Sequence, residues 1–282
     1  MKLVRFGTSG SEKPGLIDKD GTIRDLSAVI EDFTPERMTD DLKAKLSAID
    51  VSSLPVVESG VRFGPPVKTT GHFIAIGLNY VDHAIESGLE PPAEPVVFSK
   101  APSCIVGPDD DVVIPKGSTK MDWEVELGFV IGKRASYISE DEALAHVFGY
   151  MVCNDVSERA FQIEGTGQWI KGKSAPTFGP LGPWLVTADE VEDPQNLDLW
   201  LDVNGERRQS GNTRTMIFPV AHLIAYLSQI MILEPGDIVI TGTPPGVGMG
   251  MKPPTYLKPG DEIRLGVEGL GEQHQHVVAC PD

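Results

Sequence analysis

The chain has 282 residues, 40% hydrophobic and 23% charged, so it can bury a sizeable core without disulfide staples and wholesale disorder is excluded. Its 24 basic against 41 acidic side chains leave a formal charge of −17, a field that repels phosphate backbones and anionic lipids and argues against nucleic acid or a membrane as partner. Cys104, Cys153 and Cys280 are far apart and form no CxxC pair, which fits a reducing compartment. With no signal-like apolar segment after Met1 and no membrane-length apolar run, the expectation is a cytoplasmic protein.

In chain order, residues 2–7 and 15–18 read as short strands. A helix is expected over 35–49, with Thr34 as N-cap and Pro35 in the first position. Residues 1–70 read as a small N-terminal domain, and a Gly/Pro-containing stretch leads into the main domain, 71–282. Strands are expected there at 73–78, 96–99, 111–114, 124–131, 149–155, 181–186, 197–203, 237–241, 262–267 and 274–279. Only two helices are clear. One covers 140–147 and opens with the capping box Ser139…Glu142; the other covers 220–233, with apolar residues at helical spacing. Many strands with few helices predict a β-rich α+β fold rather than a doubly wound sheet.

The segment Asp122-Trp123-Glu124-Val125-Glu126-Leu127 carries the most chemistry. Strand geometry sends Glu124 and Glu126 to one face, with Cα atoms roughly 7 Å apart, near enough for both carboxylates to meet one cation. An ordinary half-exposed strand with a polar face has the same pattern. Asp155 ends a second apolar run, where it could also cap a helix. Three carboxylates without a His or Cys partner would make an all-oxygen site suited to Mg²⁺, Mn²⁺ or Ca²⁺. Residues 77–88 leave an apolar strand and turn into polar residues at helical spacing; on a helix His83 and Glu86, three apart, share a face, and the carboxylate can then orient the imidazole as a general base. A surface His beside a Glu is also a common solvated arrangement. Gly88 and Pro91-Pro92 would let residues 80–93 act as a lid. Two loops, 168–174 and 240–248, offer lysines, hydroxyls and backbone N–H groups to an anion.

Taken in order, Gly-Leu-Asn-Tyr-Val-Asp-His (77–83), Phe-Ser-Lys (98–100), Asp-Trp-Glu-Val-Glu-Leu (122–127), Asn-Asp-Val-Ser-Glu-Arg (154–159), Gly-Lys-Ser (172–174) and Thr-Gly-Thr-Pro-Pro-Gly-Val-Gly (241–248) resemble the fumarylacetoacetate hydrolase family over roughly residues 70–280. The resemblance implies a catalytic domain of rolled and sandwiched β-sheets, a small N-terminal domain, a homodimer and a Mg²⁺ or Mn²⁺ ion. It assigns Glu124, Glu126 and Asp155 as metal ligands and His83 with Glu86 as the water-activating dyad. Lys173 becomes the stabiliser of developing negative charge, and Tyr80, Lys100, Arg159, Gln162 and Thr243 become substrate contacts. Leu78 departs from the pattern, since several members carry there an Arg that grips the substrate carboxylate.

The implied reaction is hydrolysis of a 2,4-dioxo acid, an acylpyruvate or a 2,4-diketo-3-deoxy sugar acid, to pyruvate and a carboxylic acid. Oxaloacetate-type decarboxylation, hydration or isomerisation of 2-hydroxydienoates and a ureidoglycolate lyase activity are alternatives on the same scaffold. A metabolite-binding protein without catalysis is the alternative outside it.

Overall fold

A computed structural model describes residues 1–86, 88 and 90–281. Strands Val125–Ile131 and Val147–Asn154 are buried along their whole length, which is why both read as unbroken apolar runs rather than alternating ones. They pair antiparallel, Val125 opposite Asn154 and Glu126 opposite Cys153. Around them an 11-stranded sheet extends through Gly179–Thr187, Lys2–Phe6, Lys13–Ile17 and Ile23–Asp25 on one side. On the other it runs through Ile238–Ile240, Phe73–Gly77 and Val96–Ser99. Within residues 1–70, Lys2 and Leu3 pair with Val186 and Leu185, and Leu3, Phe33 and Met38 lie in one buried cluster with Phe73 and Phe129.

A second sheet of five strands, in the order Glu206–Asn212, Asp198–Val203, Glu262–Val267, Gly271–Ala279, Val112–Ile114, packs on the central strands of the first. Its inward face carries Leu199, Leu201, Ile263, Leu265 and Val277, but also Gln273 and Gln275, both buried. These amides bolt the sheets together. Gln273 Nε2 donates to the Val152 carbonyl at 2.9 Å, and Asn154 Nδ2 donates to Gln275 Oε1 at 3.0 Å. Buried polar groups are thus satisfied across the sandwich instead of being excluded from it. The result is the strand-rich mixed fold that the sequence predicts, and neither of these sheets closes into a barrel.

Three helices differ from expectation. The segment 35–49 breaks into a 3-10 turn, Pro35–Arg37, and an α-helix, Asp40–Ser47, because Met38 between them turns into the core. The capping box at Ser139 and Glu142 is present, yet it supports only the short helix Glu140–Ala143, followed by a 3-10 turn, Leu144–His146. The third helix, Val220–Ile230, stops early: Leu233 exchanges backbone hydrogen bonds with Ala135, which demands extended backbone. Strand Glu206–Asn212 has no apolar residue and carries no periodicity to detect; register with Asp198–Val203 holds it. Among the described residues no helix is long and apolar enough to cross a membrane.

Candidate active site

The antiparallel register builds the acidic centre. Glu124 immediately precedes its strand, Glu126 is two residues on, and Asp155 follows the end of the neighbouring strand, its N–H donating to the Glu124 carbonyl at 2.9 Å. Carboxylate oxygens of the three residues lie within 4.8 Å of one another, and all three side chains are buried. The Glu124 backbone is fixed by Asn154 Oδ1 and that of Val125 by Gln209 Oε1, accepting at 3.2 and 2.9 Å.

Burying three carboxylates requires positive charge. Lys173 Nζ, delivered by the short helix Ile170–Lys173, donates to Glu124 Oε2 at 2.7 Å and to Asp155 Oδ2 at 2.6 Å. Arg159 Nη2 stands 2.6 Å from Glu124 Oε1 without an N–H aimed squarely at it, while Nε donates to Asp122 Oδ2 at 2.8 Å and Nη1 to Gln162 Oε1 at 3.0 Å. Burial alone would raise the Glu124 carboxyl, but Lys173 and Arg159 outweigh it and hold it down at about 2. Glu126 has the opposite balance. Burial, with Asp155 and Glu124 beside it, pushes its carboxyl well above the usual range, although the Gly242 N–H donates to it at 2.7 Å. Among the described residues Glu126 is thus the one carboxylate of the three without a cationic side chain in contact.

A hard divalent ion fits this donor set. Octahedral Mg²⁺, at about 2.0–2.1 Å from each oxygen, needs neighbouring oxygens about 3 Å apart, within reach of three carboxylates already this close. The Lys173 ammonium already sits between two of them, where positive charge is stabilised.

His83 and Glu86 face this centre from the helix Val81–Glu86, in the segment expected as a lid; Ser87 and Leu89 of that segment lie outside the described residues. His83 is buried, with Nδ1 at 3.5 Å from Glu86 Oε2, a contact too long for a good hydrogen bond. Burial opposes ionisation of Glu86, but His83 and the Gly246 N–H, which donates to both carboxylate oxygens at 3.1 and 3.0 Å, bring its carboxyl below the usual value. Gly246 has φ +107°, and a Cβ there would stand 1.9 Å from the Arg208 carbonyl, so only glycine can present that N–H.

These groups line one cavity of about 550 Å³. Glu124, Glu126, Asp155, Lys173, His83 and Glu86 are among its polar lining, and Arg159, Gln162, Thr243 and Lys252 also reach it. Phe98, Trp169, Leu78 and Met251 supply apolar wall. Trp169 can stand there because residue 77 is glycine: a Cβ would meet its ring at 2.2 Å.

Tyr80 and Lys100 take different places from those expected. Neither lines the cavity. Lys100 is fully buried behind Asp155, donating to Oδ1 and to the Lys173 carbonyl, both at 2.5 Å, so it braces the centre rather than meeting substrate. Tyr80 is wholly enclosed, and its hydroxyl has no hydrogen-bond partner among the described residues. Thr243 does reach the cavity, but its Oγ1 is engaged, donating to the Val125 carbonyl at 2.9 Å and accepting from Gln209 Nε2 at 2.7 Å.

Sequence reasoning singled out neither Gln209, which fixes the Val125 backbone, nor Asp122, which accepts from Arg159 and from the N–H groups of Gly248 and Met249 at 2.7 and 3.0 Å, tying the arginine to the loop opposite. The only sequence signal of Asp122 was its place in the acidic motif.

Residues 72–278 match the family model described as fumarylacetoacetate (FAA) hydrolase C-terminal. A relative in Burkholderia lata, whose name goes no further than hydrolase, is 61% identical over 277 residues, 98% of each chain. The fumarylacetoacetate hydrolase of psychrophilic Exiguobacterium antarcticum superposes with a TM-score of 0.89 at 36% identity, covering 99% of this chain and 100% of that one. The maleylpyruvate hydrolase of Sphingobium sp. SYK-6, in complex with manganese(II) and pyruvate, gives a TM-score of 0.82 at 30% identity over 100% of both chains. With the family model matched over residues 72–278 and relatives of this identity over nearly the whole chain, the chain belongs to the fumarylacetoacetate hydrolase family.

Proposed function

We propose that the protein is a divalent-metal-dependent hydrolase that splits the C3–C4 bond of a 2,4-dioxo acid, giving pyruvate and a second carboxylic acid. Glu124, Glu126 and Asp155 would hold Mg²⁺ or Mn²⁺, which supplies an electrophilic anchor for the 2-oxo acid end. Because Nδ1 of His83 faces Glu86, Nε2 is the nitrogen left to take a proton from water. The water oxygen adds to C4, the C3–C4 bond breaks, and its electron pair passes to C3 as the pyruvate enolate, which a proton then quenches. Lys173, fixed between Glu124 and Asp155, would offer its ammonium to the enolate oxygen as charge develops there. Glu86, gripped by the Gly246 N–H, favours the imidazolium that forms on His83.

The observation that carries this reading is the convergence in one cavity of three buried carboxylates, a buried lysine and a His–Glu pair. The likeness to the Sphingobium enzyme, a maleylpyruvate hydrolase holding manganese and pyruvate, supports both the metal class and the product. A coupled assay for pyruvate across a panel of 2,4-dioxo acids, with Mg²⁺ and with Mn²⁺, tests it; absence of metal-dependent pyruvate from every member would reject it. A homodimer is part of the same proposal, and sedimentation velocity checks it.

A further inference from the structure

The outer face of the five-stranded sheet carries a second, chemically different cluster. His274 and His276 lie two apart on strand Gly271–Ala279, so both rings leave the same face, and Glu262 is the cross-strand partner of His276 on Glu262–Val267. Ligand atoms of the three side chains lie within 4.8 Å of one another. His274 Nε2 is 3.6 Å from Glu262 Oε2, and His276 Nδ1 is 3.7 Å from Glu262 Oε1. A tetrahedral Zn²⁺ with bonds of about 2.0–2.1 Å sets its ligands about 3.3–3.5 Å apart, close to both Glu–His separations.

Two further observations point to a cation. His274 Nε2 is shielded from solvent yet has no hydrogen-bond partner among the described residues. The surroundings are also acidic: Asp109 Oδ1 accepts the His274 backbone N–H at 2.9 Å, and Asp111 precedes Val112, the residue paired with Val277 beside His276. Arg264 stands opposite His274 and would oppose a cation, but Glu272 Oε2 engages its guanidinium at 2.9 Å. We infer that Glu262, His274 and His276 form a surface site for a borderline divalent transition cation of the Zn²⁺ class, with a fourth position open to solvent. Two imidazoles with a carboxylate select such ions over Mg²⁺, so the site is separate in chemistry as well as place from the carboxylate triad.

Isothermal titration with Zn²⁺ in excess Mg²⁺, which masks the triad, tests this on the intact protein. The expected result is one Zn²⁺ taken up per chain, weakened about 100-fold by His274→Gln or His276→Gln and unaffected by Glu126→Gln. Thermal unfolding of each variant without Zn²⁺ confirms that it is folded. No uptake in excess Mg²⁺, uptake indifferent to both histidine substitutions, or uptake lost in Glu126→Gln would each overturn the assignment.

Discussion

Glu124 and Glu126 stand two residues apart and serve one centre, yet neutralising them in the metal-free protein should move stability in opposite directions. Glu124 is held by Lys173 and Arg159, and the drop of its carboxyl from 4.5 to about 2 corresponds to ~3 kcal/mol of ionic stabilisation at neutral pH. Because the folded value lies below the ordinary one, that stabilisation is present above about 4.5 and is lost as the pH falls toward 2. Glu124→Gln should therefore lower the melting temperature at pH 7 by ~5–10 °C, since it takes one charged partner from each of two buried cations, Lys173 and Arg159. Glu126 has the reverse sign: its carboxyl is raised by burial and by Asp155 and Glu124, so its charge destabilises the fold increasingly as pH rises above its ordinary 4.5. Glu126→Gln keeps an oxygen for the Gly242 N–H, removes the repulsion and should raise the melting temperature at pH 7, with no gain in acid. Scanning calorimetry with a chelator present measures both, and a metal titration should show both variants losing Mg²⁺ affinity. If both substitutions lowered stability equally, the uneven sharing of positive charge among the three carboxylates would be wrong.

His83→Ala should cut hydrolysis of an acylpyruvate by about 10²–10⁴, while any oxaloacetate decarboxylation, which needs no attacking water, falls much less; both rates are measured on one folded preparation at saturating Mg²⁺. Lys173→Ala should impair both reactions, since the enolate is common to them. Gly77→Ala should displace Trp169 from the cavity wall, raising KM and costing about 1–3 kcal/mol of stability, read by steady-state kinetics and urea unfolding. Residues 80–93 should gain amide protection when oxalate and Mg²⁺ bind; hydrogen exchange checks this, and equal protection in both states would remove the lid.

The centre was legible because its signals are local. Period two aligned Glu124 with Glu126, an apolar run ended at Asp155, and helical spacing joined His83 to Glu86. What escaped the sequence are links between distant side chains. Lys100 sits behind Asp155, 55 positions away, and Asp122 joins Arg159, 37 positions on, to the loop at Gly248; bonds of that separation leave no periodic trace. The strand Glu206–Asn212 was invisible for a related reason: it presents Gln209, not an apolar side chain, to the interior, where its amide bonds Thr243 Oγ1 and the Pro244 carbonyl, both at 2.7 Å. The helix over 35–49 was overextended because propensity does not register a single buried Met38.

Hydrolysis of a carbon–carbon bond is the central claim, and the fate of the water oxygen tests it most directly. Turnover of an acylpyruvate in ¹⁸O-labelled water with Mg²⁺, analysed by mass spectrometry, should place one labelled oxygen in the carboxyl group of the non-pyruvate product, and that label should vanish with His83→Ala. Carbon dioxide released in place of a second acid, or an isomerised product that keeps the carbon chain intact, would contradict it.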